Sequence, residues 1–245
     1  MNSRRSDSLI LLAGILLVWQ LLFWALGANA IAPPAATVAR AAALLETRSF
    51  WLNAGATGVA FALASAIAVV GGILLGLWLG FHRFSGDVAD PIIGTLYSIP
   101  KITLYPLILL LFGLGLSAKV AFGVIHGIFP IAIVTMGAVR NVAPIYRKTA
   151  RTMRLSILST AATILAPAAL PEILAGIRAG VALTLLGIII GELFAATTGI
   201  GVALIRATDI HNVGDILALT LLLFLFAVAI NACLHYVERR VRHDG

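Results

Sequence analysis

The sequence predicts an all-α membrane protein with six transmembrane helices, because of its composition and the spacing of its apolar runs. Hydrophobic residues make up 61% of the 245 positions and charged residues only 11%, and the mean hydropathy is +1.06. This composition excludes an ordinary soluble domain. Six apolar runs are long enough to cross a bilayer as helices. The predicted spans are 9–27, 52–81, 91–113, 117–139, 168–194 and 214–237.

The first predicted span begins close to the N-terminus. Its apolar run, Leu9 to Leu26, follows Arg4-Arg5 and precedes Ala28-Asn29-Ala30, a sequence that resembles a signal-peptidase site. The run exceeds the roughly 7–15 residues of a signal-peptide core and is about long enough to cross a bilayer. We therefore expect the mature protein to keep this helix, and cleavage before Ile31 is the alternative.

A short segment separates the first span from the second. Pro33-Pro34 suits the start of a helix. Val38, Ala41 and Leu45 would form one weak apolar face on that helix, which is expected to lie in the membrane interface. The chain is thereby divided into an N-terminal region, a main membrane domain and a short tail, at 1–51, 52–239 and 240–245.

The second span carries Gly72, Gly76 and Gly80 at intervals of four residues, which places them on one face of a helix. There is little hydrophobic drive between helices in lipid, so close packing on small residues holds helices together. The pattern therefore predicts a tight helix contact along this face and assigns it no chemistry.

Basic residues decide the expected orientation. An even number of spans places both termini on one side of the membrane, and eleven cations then share that side: Arg4, Arg5, Arg83, Arg140, Arg147, Lys148, Arg151, Arg154, Arg239, Arg240 and Arg242. Only Arg40, Arg48, Lys119 and Arg206 fall on the other side. Since cytoplasmic loops carry the excess of Lys and Arg, both termini are expected in the cytoplasm. The formal net charge of +7 then reflects topology, and no nucleic-acid partner is expected.

One long polar segment interrupts the apolar spans, and we call residues 140–167 the basic loop. It holds five cations, Arg140, Arg147, Lys148, Arg151 and Arg154. A helix through it would align three of these arginines, at 147, 151 and 154, beside an apolar stripe. That stripe consists of Tyr146, Ala150, Met153 and Ile157. A short amphipathic helix of this kind either lies on anionic lipid or docks on another protein.

No pattern in the sequence indicates catalysis. The chain lacks a Gly-x-x-x-x-Gly-Lys phosphate loop, metal-spaced Cys and His residues, and a Gly-x-Ser-x-Gly elbow. No cofactor is therefore expected, and the chain cannot hydrolyse ATP by itself. An intramembrane enzyme would need a catalytic constellation, and a secondary transporter often has internal repeats. We find neither in the sequence. His126, alone in an apolar run, is expected to be packed and hydrogen-bonded.

Six fragments, taken in order, make the sequence similar to a known family. They are Ser98-Ile-Pro-Lys-Ile-Thr-Leu-Tyr-Pro106, Leu111-Phe-Gly-Leu-Gly-Leu-Ser117, Gly127-Ile-Phe-Pro130, Ala166-Pro-Ala-Ala-Leu-Pro-Glu-Ile-Leu-Ala-Gly-Ile-Arg178, Gly191-Glu192-Leu-Phe and Gly199-Ile-Gly201. From about Asn53 to Arg239 the chain resembles the permease subunits of binding-protein-dependent type I ABC importers. The similarity is greatest to the branch that serves nitrate, sulfonate, taurine and related small organic substrates.

The resemblance implies a function and a set of partners. The chain would be a permease subunit, not an enzyme, and would form the translocation path for a small polar or anionic solute such as a sulfonate, nitrate or taurine. Its partners would be cytoplasmic ABC ATPase subunits, an external solute-binding protein and a second permease copy in a homodimer. Its location would be the bacterial inner membrane. A secondary transporter that needs no ATPase is the alternative.

In that family the loop before the fifth span carries a Glu-Ala-Ala-x-x-x-Gly signature and docks on the ATPase. Counting back from Pro167 places the signature on Lys148-Thr149-Ala150 and Arg154, so only Ala150 is retained. Without glycine the turn expected at Arg154 becomes costly, because it needs a positive φ. Anchoring of the loop to anionic lipid is the alternative. The expected docking residues are Arg147, Lys148, Thr149, Ala150, Arg151, Met153 and Arg154.

Three ionisable residues fall inside or beside the predicted spans, where a charge is expensive. Arg178 and Glu192 are about 40° apart around the fifth span and about 21 Å apart along it. Lys101 follows Pro100, where a helix break is expected. These three residues are candidates for lining a path for a small anion. Pairing with neighbouring helices, or snorkelling to the interface, is the alternative.

Overall fold

The chain is all-α, as predicted. A computed structural model describes residues 2–160, 163–164 and 166–243, and no β-strand occurs among them. The described residues form eleven α-helices: α1 (Asn2–Leu26), α2 (Pro34–Leu45), α3 (Arg48–Phe81), α4 (Arg83–Ser98), α5 (Tyr105–Phe112), α6 (Leu116–Arg140), α7 (Pro144–Thr152), α8 (Ile157–Thr160), α9 (Ala166–Ala195), α10 (Ile200–Asp209) and α11 (Val213–His243). A short 3-10 turn, Lys101–Leu104, precedes α5.

Five of these helices contain apolar stretches long enough to cross a membrane, namely Leu9–Leu26, Arg48–Phe81, Leu116–Arg140, Pro167–Phe194 and Val213–Arg240. A sixth candidate is a pair of helices, Arg83–Ser98 and Lys101–Phe112, bent by 86° at the break between them. Counting that pair as one span yields the six predicted spans.

The third span differs from the prediction in its bounds and its shape. Its first helix begins at Arg83 rather than near residue 91, and the predicted break does occur at Pro100. Ile99 has an extended backbone, with φ −64° and ψ 132°. A proline disfavours helical backbone at the residue before it and has no N–H to donate, so the helix stops there.

The chain divides into two compact units. Unit 1 consists of Met1–Ala56 and Thr198–Phe226, and unit 2 consists of Thr57–Thr197 and Ala227–Gly245. Two long helices, α3 and α11, contribute residues to both units.

Unit 1 packs around Phe50, Ile200, Ala207 and Leu219. The helix predicted after Pro33 is present as α2, but its predicted apolar face is only partly correct. Ala41 is buried, whereas Val38 is 58% exposed and Leu45 is 40% exposed. The second buried position on α2 is Thr37, one turn before Ala41. The short helix α10 lies outside the predicted spans.

Asp215, near the start of α11, links three parts of unit 1. Its carboxylate accepts hydrogen bonds from Arg40 on α2, one of them from Nη2 at 3.1 Å. Asn212 caps α11 by accepting a hydrogen bond from the Asp215 N–H at 3.1 Å. The hydrogen bonds and negative charge of Asp215 raise the pKa of Arg40. The contact thus fixes α2 against the beginning of α11.

Unit 2 is organised by close packing of α6 against α9, which we call the α6–α9 seam. Glycines on both helices make this approach possible. A Cβ at Gly123 on α6 would lie 2.8 Å from Ile188 Cδ1, and a Cβ at Gly176 on α9 would lie 2.8 Å from Val134 Cβ. Cβ atoms at Gly127 and Gly180 would lie closer still to the opposite helix, against Thr184 Oγ1 and Ile131 Cγ1 respectively. The seam therefore has no room for larger side chains at these positions.

The predicted glycine contact on the second span is confirmed. Cβ atoms at Gly72, Gly76 and Gly80 would lie 2.7, 2.5 and 2.8 Å from the Cβ atoms of three α6 residues that are also spaced four positions apart. Those residues are Ile131, Thr135 and Val139. In unit 2, α3 therefore packs on α6 through its glycine face, as expected where small residues drive helix association in lipid.

Candidate functional site

The basic loop forms two short helices, and the single helix expected from Arg147 to Ile157 is wrong. With proline at its first position, α7 begins at Pro144 and ends at Thr152. The second helix, α8, covers only Ile157–Thr160. The expected alignment of three arginines on one helix fails because Arg154 lies beyond the end of α7.

The turn after α7 is a Schellman turn that holds arginine where glycine is favoured. Arg154 has φ +51°, and the Leu155 N–H donates to the Ala150 carbonyl at 3.1 Å, which is the defining 6→1 bond of the motif. Ser156 then caps α8, since its hydroxyl accepts a hydrogen bond from the Ser159 N–H at 3.1 Å. The turn that loss of glycine placed in doubt is therefore present, with a strained residue in it.

Large apolar side chains of the basic loop point out of the chain. Ile145 is 63% exposed, Tyr146 is 48% exposed and Met153 is 62% exposed. Ala150, from the same expected stripe, is buried, and the Ile157 side chain lies outside the described residues. The outward apolar surface is therefore formed by Ile145, Tyr146 and Met153, which we call the apolar triplet.

The expected docking residues separate into three groups. Lys148, Thr149, Met153 and Arg154 are exposed, and Ala150 is buried. The side chains of Arg147 and Arg151 lie outside the described residues. The Thr149 hydroxyl donates to the Ile145 carbonyl at 3.1 Å, so its hydrogen bond is formed within α7. The exposed groups that remain for a partner are one apolar side chain and two cations.

Arg140, the last residue of α6, anchors the start of the basic loop. Its guanidinium donates to Asp87 Oδ1 at 2.8 Å and to the Arg83 carbonyl at 3.4 Å. It lies against Gly86, where a Cβ would collide with it. Four residues later α7 begins, so this contact ties the entry of the loop to the first turn of α4.

A buried ion pair joins α6 and α9 at one end of the seam. Lys119 Nζ lies 3.1 Å from Glu192 Oε1, and their side chains are only 5% and 0% exposed. The Thr57 hydroxyl lies 2.9 Å from both carboxylate oxygens of Glu192. Lys119, which the orientation argument counted among the cations on the outer side, is therefore compensated inside unit 2. Three loop cations, not four, remain on the minority side of the orientation count.

Arg178, on α9, pairs with α11 in unit 2. Its Nη1 lies 3.0 Å from Glu238 Oε2, where the two side chains are 35% and 9% exposed. The same Nη1 lies 3.0 Å from His235 Nδ1. Arg178 and Glu192 thus both contact neighbouring helices, as the pairing alternative describes. Their proposed part in a translocation path stays a prediction.

Lys101 lies at the break of the third span, as the sequence indicated. Its Nζ donates to the Tyr97 carbonyl at 3.0 Å and lies 4.4 Å from the centre of the Tyr97 ring, within the range of a cation–π contact. His126 is buried and its Nδ1 lies 2.9 Å from the Phe122 carbonyl. The expectation of a packed, hydrogen-bonded histidine is confirmed.

Unit 1 contains a cavity of about 580 Å³ between α2, the start of α3, α10 and the start of α11. Leu44, Phe50 and Leu219 supply apolar walls, and Asn53, Arg206 and Asp209 supply polar groups. The Asn53 side chain also accepts a hydrogen bond from the Gly199 N–H at 2.9 Å, which holds the entrance to α10.

Sequence reasoning missed Lys119, Thr57 and Tyr105 as members of one polar site. The Tyr105 hydroxyl donates to the Gly191 carbonyl at 2.7 Å, next to the Glu192 that Thr57 and Lys119 contact. A buried acid deep in a span needs a partner, and Lys119 lies just inside the start of the preceding predicted span, 117–139. That signal could have suggested the pair, but nothing local in the sequence indicated Thr57.

Comparison with known proteins assigns the chain to a family. Residues 68–243 match the family described as "Binding-protein-dependent transport system inner membrane component". A relative from Haemophilus influenzae, named "Probable ABC transporter permease protein", is 25% identical over 236 residues, covering 96% of this chain and 95% of that protein.

Other relatives carry more specific names. The nitrate import permease protein NrtB of Synechococcus elongatus is 29% identical over 209 residues, covering 81% of this chain and 74% of that protein. The taurine transport system permease protein TauC of Escherichia coli is 26% identical over 193 residues, covering 79% and 70%.

Among solved structures, the fold is similar to a chain of the MetNI methionine ABC transporter in inward-facing conformations. The TM-score is 0.67 at 18% identity, covering 78% of this chain and 96% of that chain. The chain therefore belongs to the inner-membrane components of binding-protein-dependent transport systems, as a multi-pass permease subunit of an ATP-driven importer that works with ATPase and binding-protein subunits and is not itself an enzyme.

Proposed function

We propose that this permease imports a small polar or anionic solute, such as a sulfonate, nitrate or taurine, and that its basic loop is the docking element for the ATPase. The observation that carries the docking proposal is the exposed apolar triplet of Ile145, Tyr146 and Met153 beside exposed cations. An apolar surface of this kind is favourable only when something covers it. The names of the nitrate and taurine relatives support the substrate class.

Replacing Met153 with Asp tests the docking proposal. A carboxylate in an apolar interface is left unpaired and desolvated, so we expect the ATPase to be lost when the permease is purified from membranes. Thr152→Asp is the matched control, because Thr152 is exposed next door and outside the apolar triplet. Membrane insertion should be equal in both variants. Full ATPase recovery with Met153→Asp would overturn the proposal and favour anchoring to anionic lipid.

We place both termini in the cytoplasm. The orientation is supported by the excess of Lys and Arg on the side that contains the termini and the basic loop. A reporter fused after Arg242 should read cytoplasmic, and one inserted near Asn212 should read external. The reverse pattern would remove the basic loop from the reach of a cytoplasmic ATPase.

The permease is proposed to act as a homodimer, with residues 52–239 as the transporting domain. Phe84 on α4 and Leu110 on α5 are each 82% exposed in the single chain, and a second copy would cover part of this apolar surface. Two copies carrying different affinity tags should co-purify through both tags in the intact complex. Recovery of one tagged copy with a different permease would point to a heterodimer.

Lys101, Arg178 and Glu192 are the candidates for the translocation path. Lys101 is the most direct to test, because its partner is a neutral carbonyl and its charge is therefore not compensated by that contact. We expect Lys101→Gln to raise the KM for uptake of labelled sulfonate, taurine or nitrate, with Lys101→Arg as the control that retains charge. An unchanged KM for all three solutes would remove Lys101 from the path. Identifying the ligand of the external binding protein would fix the substrate.

A further inference from the structure

We propose that Arg154 is a specificity-determining contact, through which this permease recognises its own ATPase by pairing with a carboxylate in the ATPase docking groove. The proposal rests on the docking role of the basic loop. It goes beyond that role because it names one side chain and the chemistry of its partner.

The backbone conformation at Arg154 does not explain why arginine occupies this position, which points to a role for its side chain in binding another molecule. Its φ of +51° lies in the left-handed region, which glycine and asparagine adopt with less strain than other residues. The Schellman bond from Leu155 to Ala150 needs this conformation and makes no use of the Arg154 side chain. Glycine would therefore form the same turn more favourably, and the fold alone does not account for arginine.

No acidic residue lies near Arg154 in the sequence. No aspartate or glutamate occurs between Asp90 and Glu172. Among the described residues, no hydrogen bond or ion pair joins the exposed Arg154 side chain to this chain. The guanidinium is thus offered outward, directly beside Met153, which is 62% exposed. A partner surface that covers Met153 also contacts Arg154. A carboxylate on that surface would accept two hydrogen bonds from the Arg154 guanidinium.

The rigidity of the turn favours a protein partner over lipid. The Schellman bond on one side and the Ser156 cap on the other fix the direction in which Arg154 leaves the chain. A lipid phosphate asks only for positive charge near the surface, which Lys148 and the other loop arginines already supply without strain. A contact in one defined direction is what a matched carboxylate in a groove requires.

Four substitutions separate the charge of Arg154 from its backbone strain. Arg154→Gly and Arg154→Asn relieve strain and remove charge, Arg154→Ala keeps strain and removes charge, and Arg154→Lys keeps both. The permease is reconstituted in nanodiscs and titrated with the purified partner ATPase, identified beforehand from the wild-type complex. We expect the Kd to rise about tenfold for Gly, Asn and Ala and to stay within about threefold for Lys.

A purely structural role predicts the opposite order. Affinity would then follow tolerance of positive φ, with Gly and Asn binding more tightly than wild type and with Ala and Lys binding about as tightly as wild type. That order would overturn the inference. So would equal affinity for all five proteins.

Two further arms identify the source of the contact. In nanodiscs of phosphatidylcholine alone, the affinity difference between Arg154 and Asn should persist. Its disappearance there, with retention in phosphatidylglycerol nanodiscs, would assign the contact to lipid and overturn the inference. Met153→Asp in the same titration tests the docking role separately. If that change leaves binding intact, the proposed function fails, whereas loss of binding with no charge effect at position 154 sinks only this inference.

Discussion

The α6–α9 seam and the basic loop both carry charged residues, but they differ in whether those charges are paired within the chain. At the end of the seam, Lys119 and Glu192 lie 3.1 Å apart in the interior of unit 2. In the basic loop, five cations share a stretch of chain that contains no acidic residue. Lys119, Glu192 and Arg178 are therefore paired within the chain, because an unpaired charge inside a membrane is costly. Beyond Arg140, which pairs with Asp87 on α4, the described loop cations Lys148 and Arg154 are exposed, which is what a surface for a second molecule requires.

We expect the largest loss of stability from removing one member of the buried Lys119–Glu192 pair. Glu192→Ala leaves Lys119 buried without its counter-ion, and we expect a loss of about 3–5 kcal/mol in stability. Thermal unfolding of the purified permease in detergent measures it. Lys148→Ala removes a charge from the basic loop and should leave the unfolding temperature unchanged.

A double substitution tests whether the Lys119–Glu192 pair is essential to folding. Lys119→Met with Glu192→Gln removes both charges at similar volume, and we expect it to restore most of the stability lost in Glu192→Ala. Because glycine packing already joins α6 to α9, the seam does not depend on the pair for contact. If the double variant is as unstable as the single one, the pair is essential to folding itself.

The packing of the seam is tested by filling it. A Cβ at Gly180 would press on Ile131 and lie 2.8 Å from the Gly127 carbonyl. We expect Gly180→Ala to cost about 1–3 kcal/mol by overpacking. Gly137, on α6, has open space around the position of a Cβ, and Gly137→Ala should be neutral or slightly stabilising. Equal unfolding temperatures for the two variants would contradict the tight seam.

The smallest expected effect belongs to the strained turn of the basic loop. Arg154→Gly should stabilise the turn by about 1 kcal/mol, because it removes a left-handed backbone conformation from a residue with a Cβ. Protection of the Leu155 amide from hydrogen exchange reports this directly, since that amide forms the Schellman bond. Lower protection in the glycine variant would show that the arginine side chain supports the turn.

Much of the membrane fold could be predicted from the sequence, because helices in lipid satisfy their backbone hydrogen bonds locally. The six apolar runs, the break at Pro100 and the glycine face of Gly72, Gly76 and Gly80 all correspond to observed features. The errors occur where a local pattern has two solutions. The periodicity of the basic loop suits one long helix, but its backbone turns after Thr152 and starts again at Ile157.

The candidate site was less predictable, because its partners are distant in sequence. Arg178 and Glu192 could be singled out from one helix, but their contacts come from others. Glu192 meets Lys119 across 73 positions and Thr57 across 135. Lys119 lies at the edge of a predicted span, where hydropathy does not distinguish a cation at the membrane surface from a buried one.

The sequence by itself determined the all-α class, the approximate spans, the concentration of cations in the basic loop and the family resemblance. These follow from sums over local windows, in which each residue contributes independently of its distant neighbours. Only the tertiary structure decided which charges are compensated and which are not. It paired Lys119 with Glu192 and Arg178 with Glu238, and it left Arg154 exposed in a left-handed turn. The physical reason is that the energy of a charge depends on its surroundings, and those are set by helix packing rather than by the neighbouring sequence.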